Sequence, residues 1–166
     1  MRVVNVHHRE LPVQPSVLGA LLDSLSQADD RLWPTSTWPA MRFGRPLQVG
    51  ARGGHGPIRY TVESYTPGHT ISFRFSAPRG FDGTHSFLVS PTTSGSRISH
   101  EIHMTTTGRA SLSWAFVLRP LHDALLEDAL HKAALACGAQ ESPPRWSAWV
   151  RVLRALLRSR KPPRAT

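Results

Sequence analysis

Residues 58–65, Ile58-Arg59-Tyr60-Thr61-Val62-Glu63-Ser64-Tyr65, alternate apolar and polar side chains and end at the turn Thr66-Pro67-Gly68-His69. The alternation resumes in Thr70-Ile71-Ser72-Phe73-Arg74-Phe75, then in Thr84 to Ser90 and in Arg97 to Thr105, with Pro91-Thr92-Thr93-Ser94-Gly95-Ser96 between the last two. Successive side chains of a strand point to opposite faces, so a period of two means one buried and one wetted face. Four such runs joined by short turns read as an antiparallel meander. Its buried face is Ile58, Tyr60, Val62, Ile71, Phe73, Phe75, His85, Phe87, Val89, Ile98, His100, Ile102 and Met104. Two histidines and a tyrosine on an otherwise apolar face are the chemical lead the strands offer.

Folding each hairpin about its loop sets Tyr60, Phe75, His85 and Ile102 in one row and Val62, Phe73, Phe87 and His100 in the next. His85 and His100 then become diagonal neighbours on adjacent strands, about 7–8 Å apart at the backbone. A slip of one residue would turn either histidine out of the core.

The 166 residues fit one domain, and 40% hydrophobic with 19% charged residues describes a globular chain. No apolar run approaches the ~20 residues of a membrane span. The start, Met1-Arg2-Val3-Val4-Asn5-Val6-His7-His8, lacks a signal-peptide core, so the expected location is cytoplasmic. Cys137 is the single cysteine, which excludes an internal disulfide and suggests a buried thiol. The net charge of +9 is unevenly spread: residues 1–138 hold 13 basic and 10 acidic side chains, residues 139–166 hold 7 and 1. The basicity therefore belongs mostly to the tail, and any nucleic-acid argument would have to rest there.

Outside the meander, Val3 to Arg9 suits a first, edge strand ahead of Pro12. Pro15 opens a helix whose Val17, Leu18, Leu21, Leu22 and Leu25 form one stripe, and Asp29 to Trp33 suggests a short second helix. Pro34 to Arg45 reads as irregular structure burying Trp38, Met41 and Phe43, either as plain packing under a loop or as the mouth of a pocket. Leu47 to Arg52 reads as a strand leading into Gly53-Gly54-His55-Gly56-Pro57. That loop lacks a GxGxxG or GK[ST] pattern and precedes a strand, so it reads as a glycine turn rather than a phosphate cradle.

A long helix is expected from about Ser111 to Cys137, capped by Gly138 and kinked near Pro120. Trp114, Val117, Leu118, Leu121 and Leu125 share its inner face, and farther on the stripe rotates to Leu126, Ala129 and Ala133. Arg119, Asp123, Glu127 and His131 are assigned to a solvated outer side, and His122 borders the inner face. After a linker at 140–144, Arg145 to Lys161 forms a second, basic amphipathic helix containing Trp146 and Trp149, and 162–166 reads as a disordered tail. Such a helix packs back on its own domain, meets a second copy in a homodimer, or docks on an anionic membrane surface or a protein. Nucleic acid is disfavoured, because its cationic arc offers few groups to read bases.

This order of elements makes an α+β fold in which the long helix covers the apolar face of the sheet. It resembles the helix-grip fold of the SRPBCC superfamily, which includes START-like lipid carriers and polyketide cyclases. Residues 58–68 with Ile71-Ser72-Phe73-Arg74-Phe75 carry the likeness, extended by Gly83-Thr84-His85-Ser86-Phe87 and Pro120-Leu121-His122-Asp123-Ala124-Leu125-Leu126-Glu127. The resemblance covers residues 1–138, a ligand-binding domain, and leaves 139–166 as an appended linker, basic helix and tail. It implies a curved antiparallel sheet wrapped around a long C-terminal helix, with a cavity for a small apolar molecule between them.

The expected cavity wall is Tyr60, Val62, Phe73, Phe75, His85, Phe87, His100, Ile102, Trp114, Leu118, Leu121, His122 and Leu125. Binding of a lipid- or polyketide-like molecule asks least of these residues. A cyclase would add a base, His85 or His100, and a donor to a developing enolate, Tyr60. A regulatory module docking through the tail helix is the third reading. No metal or cofactor is expected: HExxH and CxxC spacings are absent, and His100 and His103 fall on opposite faces of a strand. GxSxG and facing carboxylates for glycoside hydrolysis are absent too.

Overall fold

The computed structural model describes residues 1–159, so the far end of the predicted tail helix at Lys161 and the 162–166 tail lie outside the described residues. Seven strands form one antiparallel sheet: β1 (Arg2–Leu11), β2 (Arg42–Phe43), β3 (Arg52–His55), β4 (Ile58–Thr66), β5 (Thr70–Ala77), β6 (Phe81–Thr92) and β7 (Gly95–Thr106). Their order in space is β1-β7-β6-β5-β4-β3-β2, which puts β1 and β2 at the edges. Helix α1 (Pro15–Asp23) follows β1; α2 (Arg109–Ser113), a π-helical turn (Trp114–Leu118) and α3 (Arg119–Ala136) follow β7 in one continuous helical run. A last helix, α4, spans Ala148–Ser159. This is the α+β helix-grip architecture, a curved antiparallel sheet gripping a long C-terminal helix.

The inward face carries the expected alternation. Ile58, Tyr60, Val62, Ile71, Phe73, His85, Phe87, Val89, Ile98, His100, Ile102 and Met104 are buried, and Phe75 is partly so. A bulge between Val62 and Ser64 adds one residue to β4, and beyond it Tyr65 pairs with Ile71. Two hairpin registers agree with expectation: Tyr60 faces Phe75 across β4–β5, and His85 faces Ile102 across β6–β7. The β5–β6 register differs by one residue pair, because β6 begins at Phe81 and pairs Phe73 with His85 and Ile71 with Phe87. The parity is kept, so every inward residue stays inward.

Helix α1 packs Leu18, Leu21 and Leu22 against the sheet, each worth about 1.5–3 kcal/mol of burial, while Val17 faces solvent. Its C-terminal Asp23 accepts from the Tyr65 hydroxyl at 2.8 Å and from the Gly68 amide at 2.9 Å, tying the helix to the β4–β5 turn. Residues 29–33 form no helix. Asp30 organises them as a loop instead, its carboxylate accepting from the amides of Ser26, Leu32 and Trp33 at 2.7–2.9 Å. The predicted strand at 47–52 is also displaced: the strand is Arg52–His55 and runs through the glycines, with Gly56-Pro57 as its turn into β4.

In the long helical run the π turn directly precedes Pro120, which has no N–H to give to the carbonyl of Phe116 four residues earlier; that carbonyl accepts from the Trp149 indole at 2.8 Å instead. The wide turn buries Trp114 while Phe116 stays 63% exposed. Helix α3 buries Leu121, Leu125, Leu126, Ala129, Leu130, Ala133 and Ala134. It closes with Gly138 at φ 85° and bonds from Ala139 N to Ala134 O and from Gly138 N to Leu135 O, the pairing of a Schellman cap. Cys137 is half-buried, and burial raises its thiol pKa.

Helix α4 begins at Ala148 rather than Arg145, leaving Trp146 in the chain before it. Val150 and Leu153 enter the main core, whereas Trp149, Leu156 and Leu157 are exposed. Arg154 is buried: its guanidinium lies 4.1 Å from the ring centroids of both Trp38 and Trp146, and it donates to the carbonyl of Thr37.

Candidate functional site

Between the sheet and α3 the side chains leave a cavity of about 120 Å³. Strands β5 to β7 supply Phe75, Phe81, His85, His100 and Ile102; the π turn and α3 supply Trp114, Leu118, Leu121, His122, Leu125 and Leu126. Trp33, Trp38 and Pro39, residues 55–58, and Leu157 of α4 complete the wall.

Nine of the thirteen residues expected at this wall are there: Phe75, His85, His100, Ile102, Trp114, Leu118, Leu121, His122 and Leu125. Tyr60, Val62, Phe73 and Phe87 are off it, packed in the core. The displaced β5–β6 register moves Phe73 beside His85, where the two rings stack at 4.8 Å between centroids. Tyr60 instead reaches the glycine segment, its hydroxyl 3.0 Å from Nδ1 of His55. His55 was missed because it sits among glycines that read as a turn. The available signal was its position three residues before Ile58, just ahead of the alternating run.

His85 and His100 form the polar end of the cavity. Nδ1 of His85 is 3.2 Å from Nε2 of His100, and His85 is held in place by stacking on Phe73 and Phe75 and by an edge contact with Tyr60. Burial drives both imidazole pKa values well below the usual range, with the neighbouring histidines adding to the effect, so both rings are neutral at pH 7. In a neutral pair one ring donates and the other accepts. Of the two outer nitrogens, Nε2 of His85 and Nδ1 of His100, one is therefore a bare acceptor and the other an N–H donor, and both are buried without a partner. A proton gained at one outer nitrogen and lost at the other exchanges these roles.

The neighbouring titratable groups are also held uncharged. Burial lowers the pKa of His55 to about 3, and burial raises that of Tyr60 far above its usual value. His122 is depressed by burial, partly offset by Asp123. A second, more open groove adjoins the cavity at His55 and Gly56 and is rimmed by the exposed Arg42, Arg52 and Arg59.

The carboxylates assigned to solvent on α3 point at β1 instead. Asn5 Nδ2 donates to Asp123 Oδ1 at 2.9 Å, and His7 bridges Asp123 Oδ1 at 3.1 Å and Glu127 Oε1 at 2.9 Å. Arg9 pairs with Glu127 and Glu141. The inward side of β1 is a polar stripe that meets an acidic stripe on the helix. Asp128 accepts from the indoles of Trp38 and Trp146, while Lys132 donates to the carbonyls of Asp30 and Trp33.

No family model matches the chain, and no curated protein matches it. Solved structures do. A Thermobifida fusca protein determined in solution superposes with a TM-score of 0.63 at 14% identity, covering 87% of this chain and 99% of its own. The KanY protein gives 0.61 at 13% identity over 84% and 99% of the two chains. CalU16 from Micromonospora echinospora gives 0.57 at 11% identity over 93% and 91%. At these identities the likeness establishes the fold, a helix-grip-like domain.

Proposed function

We propose that the chain is a binding protein of the SRPBCC type, whose ligand is a small, mostly apolar molecule of lipid or polyketide character carrying an oxygen function. The observation behind this reading is the pair of unpartnered imidazole nitrogens in a wall that is apolar apart from His55 and His122. Each buried polar atom left unpaired costs about 1–3 kcal/mol. A ligand carbonyl or hydroxyl removes that cost, and a hydrocarbon does not. The test compares 1-naphthol with naphthalene by calorimetry. Naphthol is expected to bind at least about tenfold more tightly, the equivalent of one recovered hydrogen bond. Failure of both probes to bind would reject the reading.

A cyclase-like enzyme is the second reading, and the His85–His100 contact favours it. Enolisation and loss of water need a proton removed beside a carbonyl and a proton delivered to oxygen, and this pair offers an acceptor and a donor together. Replacing both histidines by Gln separates the readings, because the Gln amide still offers a donor and an acceptor to a ligand oxygen but is not a base. A carrier keeps most of its affinity; an enzyme loses turnover.

A further inference from the structure

The contacts between β1 and α3 contain a cluster that the cavity reading leaves unused. One ligand atom from each of His7, His122 and Asp123 lies within 4.8 Å of the other two. Nε2 of His7 is 3.1 Å from Asp123 Oδ1, and Nδ1 of His122 is 3.6 Å from the same oxygen. Donors that share one zinc-sized ion at about 2.0–2.2 Å stand about 3.4 Å apart in a tetrahedral shell, so these separations need little adjustment.

The surroundings match what orients metal ligands. The other ring nitrogen of His7, Nδ1, lies 2.9 Å from Glu127 Oε1, a carboxylate–histidine contact that turns Nε2 toward Asp123. Asn5 holds Asp123 from the strand side. Nδ1 of His122 is buried in this cluster without a hydrogen-bond partner. A plain tether between strand and helix leaves it so, whereas an ion shared with His7 and Asp123 does not.

We propose that His7, His122 and Asp123 bind a single divalent first-row transition ion of the Zn²⁺ or Fe²⁺ class. Two imidazoles and a carboxylate are a donor set for such ions rather than for Mg²⁺ or Ca²⁺, which take oxygen shells. Three protein ligands leave a coordination position for water or another oxygen. His122 also lines the cavity, so the ion would stand beside it.

Metal-free protein titrated with Zn²⁺ in a calorimeter, and with Co²⁺ followed by its visible absorption, tests the site. A 1:1 complex with Kd below about 10 μM is expected. It weakens at least about tenfold in His7→Ala, His122→Ala and Asp123→Asn, and is unchanged in His8→Ala, whose side chain is exposed. Should a variant fail to fold, long-range ¹⁵N spectra of the unaltered protein decide: substoichiometric Zn²⁺ is expected to move the ring nitrogens of His7 and His122. Absence of 1:1 binding at about 1 mM metal, affinity untouched by the three substitutions, or shifts confined to His103 or His131 would each overturn the site. Naphthol binding in metal-free buffer is a separate readout, so failure here leaves the cavity reading standing.

Discussion

Nδ1 of His85 lies 3.2 Å from Nε2 of His100, a diagonal contact between β6 and β7 fixed by a register that pairs His85 with Ile102 and Phe87 with His100. Neither ring has another hydrogen-bond partner among the described side chains, so each depends on the other inside an apolar wall. The pair is an expensive feature for stability and an economical one for recognition, because it presents a donor and an acceptor to whatever fills the cavity.

Removing one ring strands the other. His100→Leu is expected to lower unfolding free energy by about 1–3 kcal/mol, and His85→Leu by a similar amount. The double variant should lose less than the sum, because the second substitution removes a nitrogen already orphaned. Urea unfolding of the four proteins measures the coupling.

Acid should destabilise the fold through its buried neutral histidines. His55 and His85 have folded pKa values below the ordinary 6.5 of a free imidazole, so the unfolded chain binds more protons between that value and the folded one. Stability is then full above pH 6.5 and falls as pH drops toward the folded pKa, about 3 for His55, at up to ~1.4 kcal/mol per pH unit for each group. Unfolding midpoints measured at pH 7.5 and pH 5 should differ accordingly. Higher stability at pH 5 would contradict the burial of neutral rings.

Gly19 allows α1 to lie against the β4–β5 turn, since a Cβ there would come within 2.5 Å of the Gly68 carbonyl oxygen. Gly19→Ala is expected to cost about 1–3 kcal/mol despite the better helix propensity of alanine. Thermal unfolding gives the sign directly: a rise in Tm would mean the helix is not seated as described.

Arg154 holds α4 by its place against Trp38 and Trp146. Arg154→Ala should raise hydrogen exchange in residues 148–157 at least several-fold while leaving β4–β7 protected. Because Leu157 borders the cavity, 1-naphthol should also leave faster. Unchanged exchange would show that Val150 and Leu153 alone seat the helix.

The meander and its inward face were legible because β4 to β7 bury an apolar side and wet a polar one, and hydrophobicity records that difference. His85, His100 and His122 came with it, carried by apolar neighbours. The cluster at β1 was not legible for the same reason. Asn5 and His7 are polar but point inward, and Asp123 and Glu127 are charged but point at them, so the strand looked weakly alternating and the helix face looked solvated. Two complementary polar stripes hide one another from a reading based on hydrophobicity. The glycine segment failed differently: Gly53 lies where a Cβ would meet the Arg42 carbonyl oxygen at 2.3 Å, so close approach of β2, rather than strand propensity, demands glycine there.

Long-range ¹⁵N–¹H spectra of the imidazoles at pH 7, recorded with and without 1-naphthol, test the central claim most directly. Both His85 and His100 should show one protonated and one bare nitrogen, and naphthol should shift Nε2 of His85 or Nδ1 of His100 while leaving His103 unmoved. Imidazolium signals from either ring, or naphthol binding that leaves both outer nitrogens where they were, would contradict a cavity whose polar end is this histidine pair.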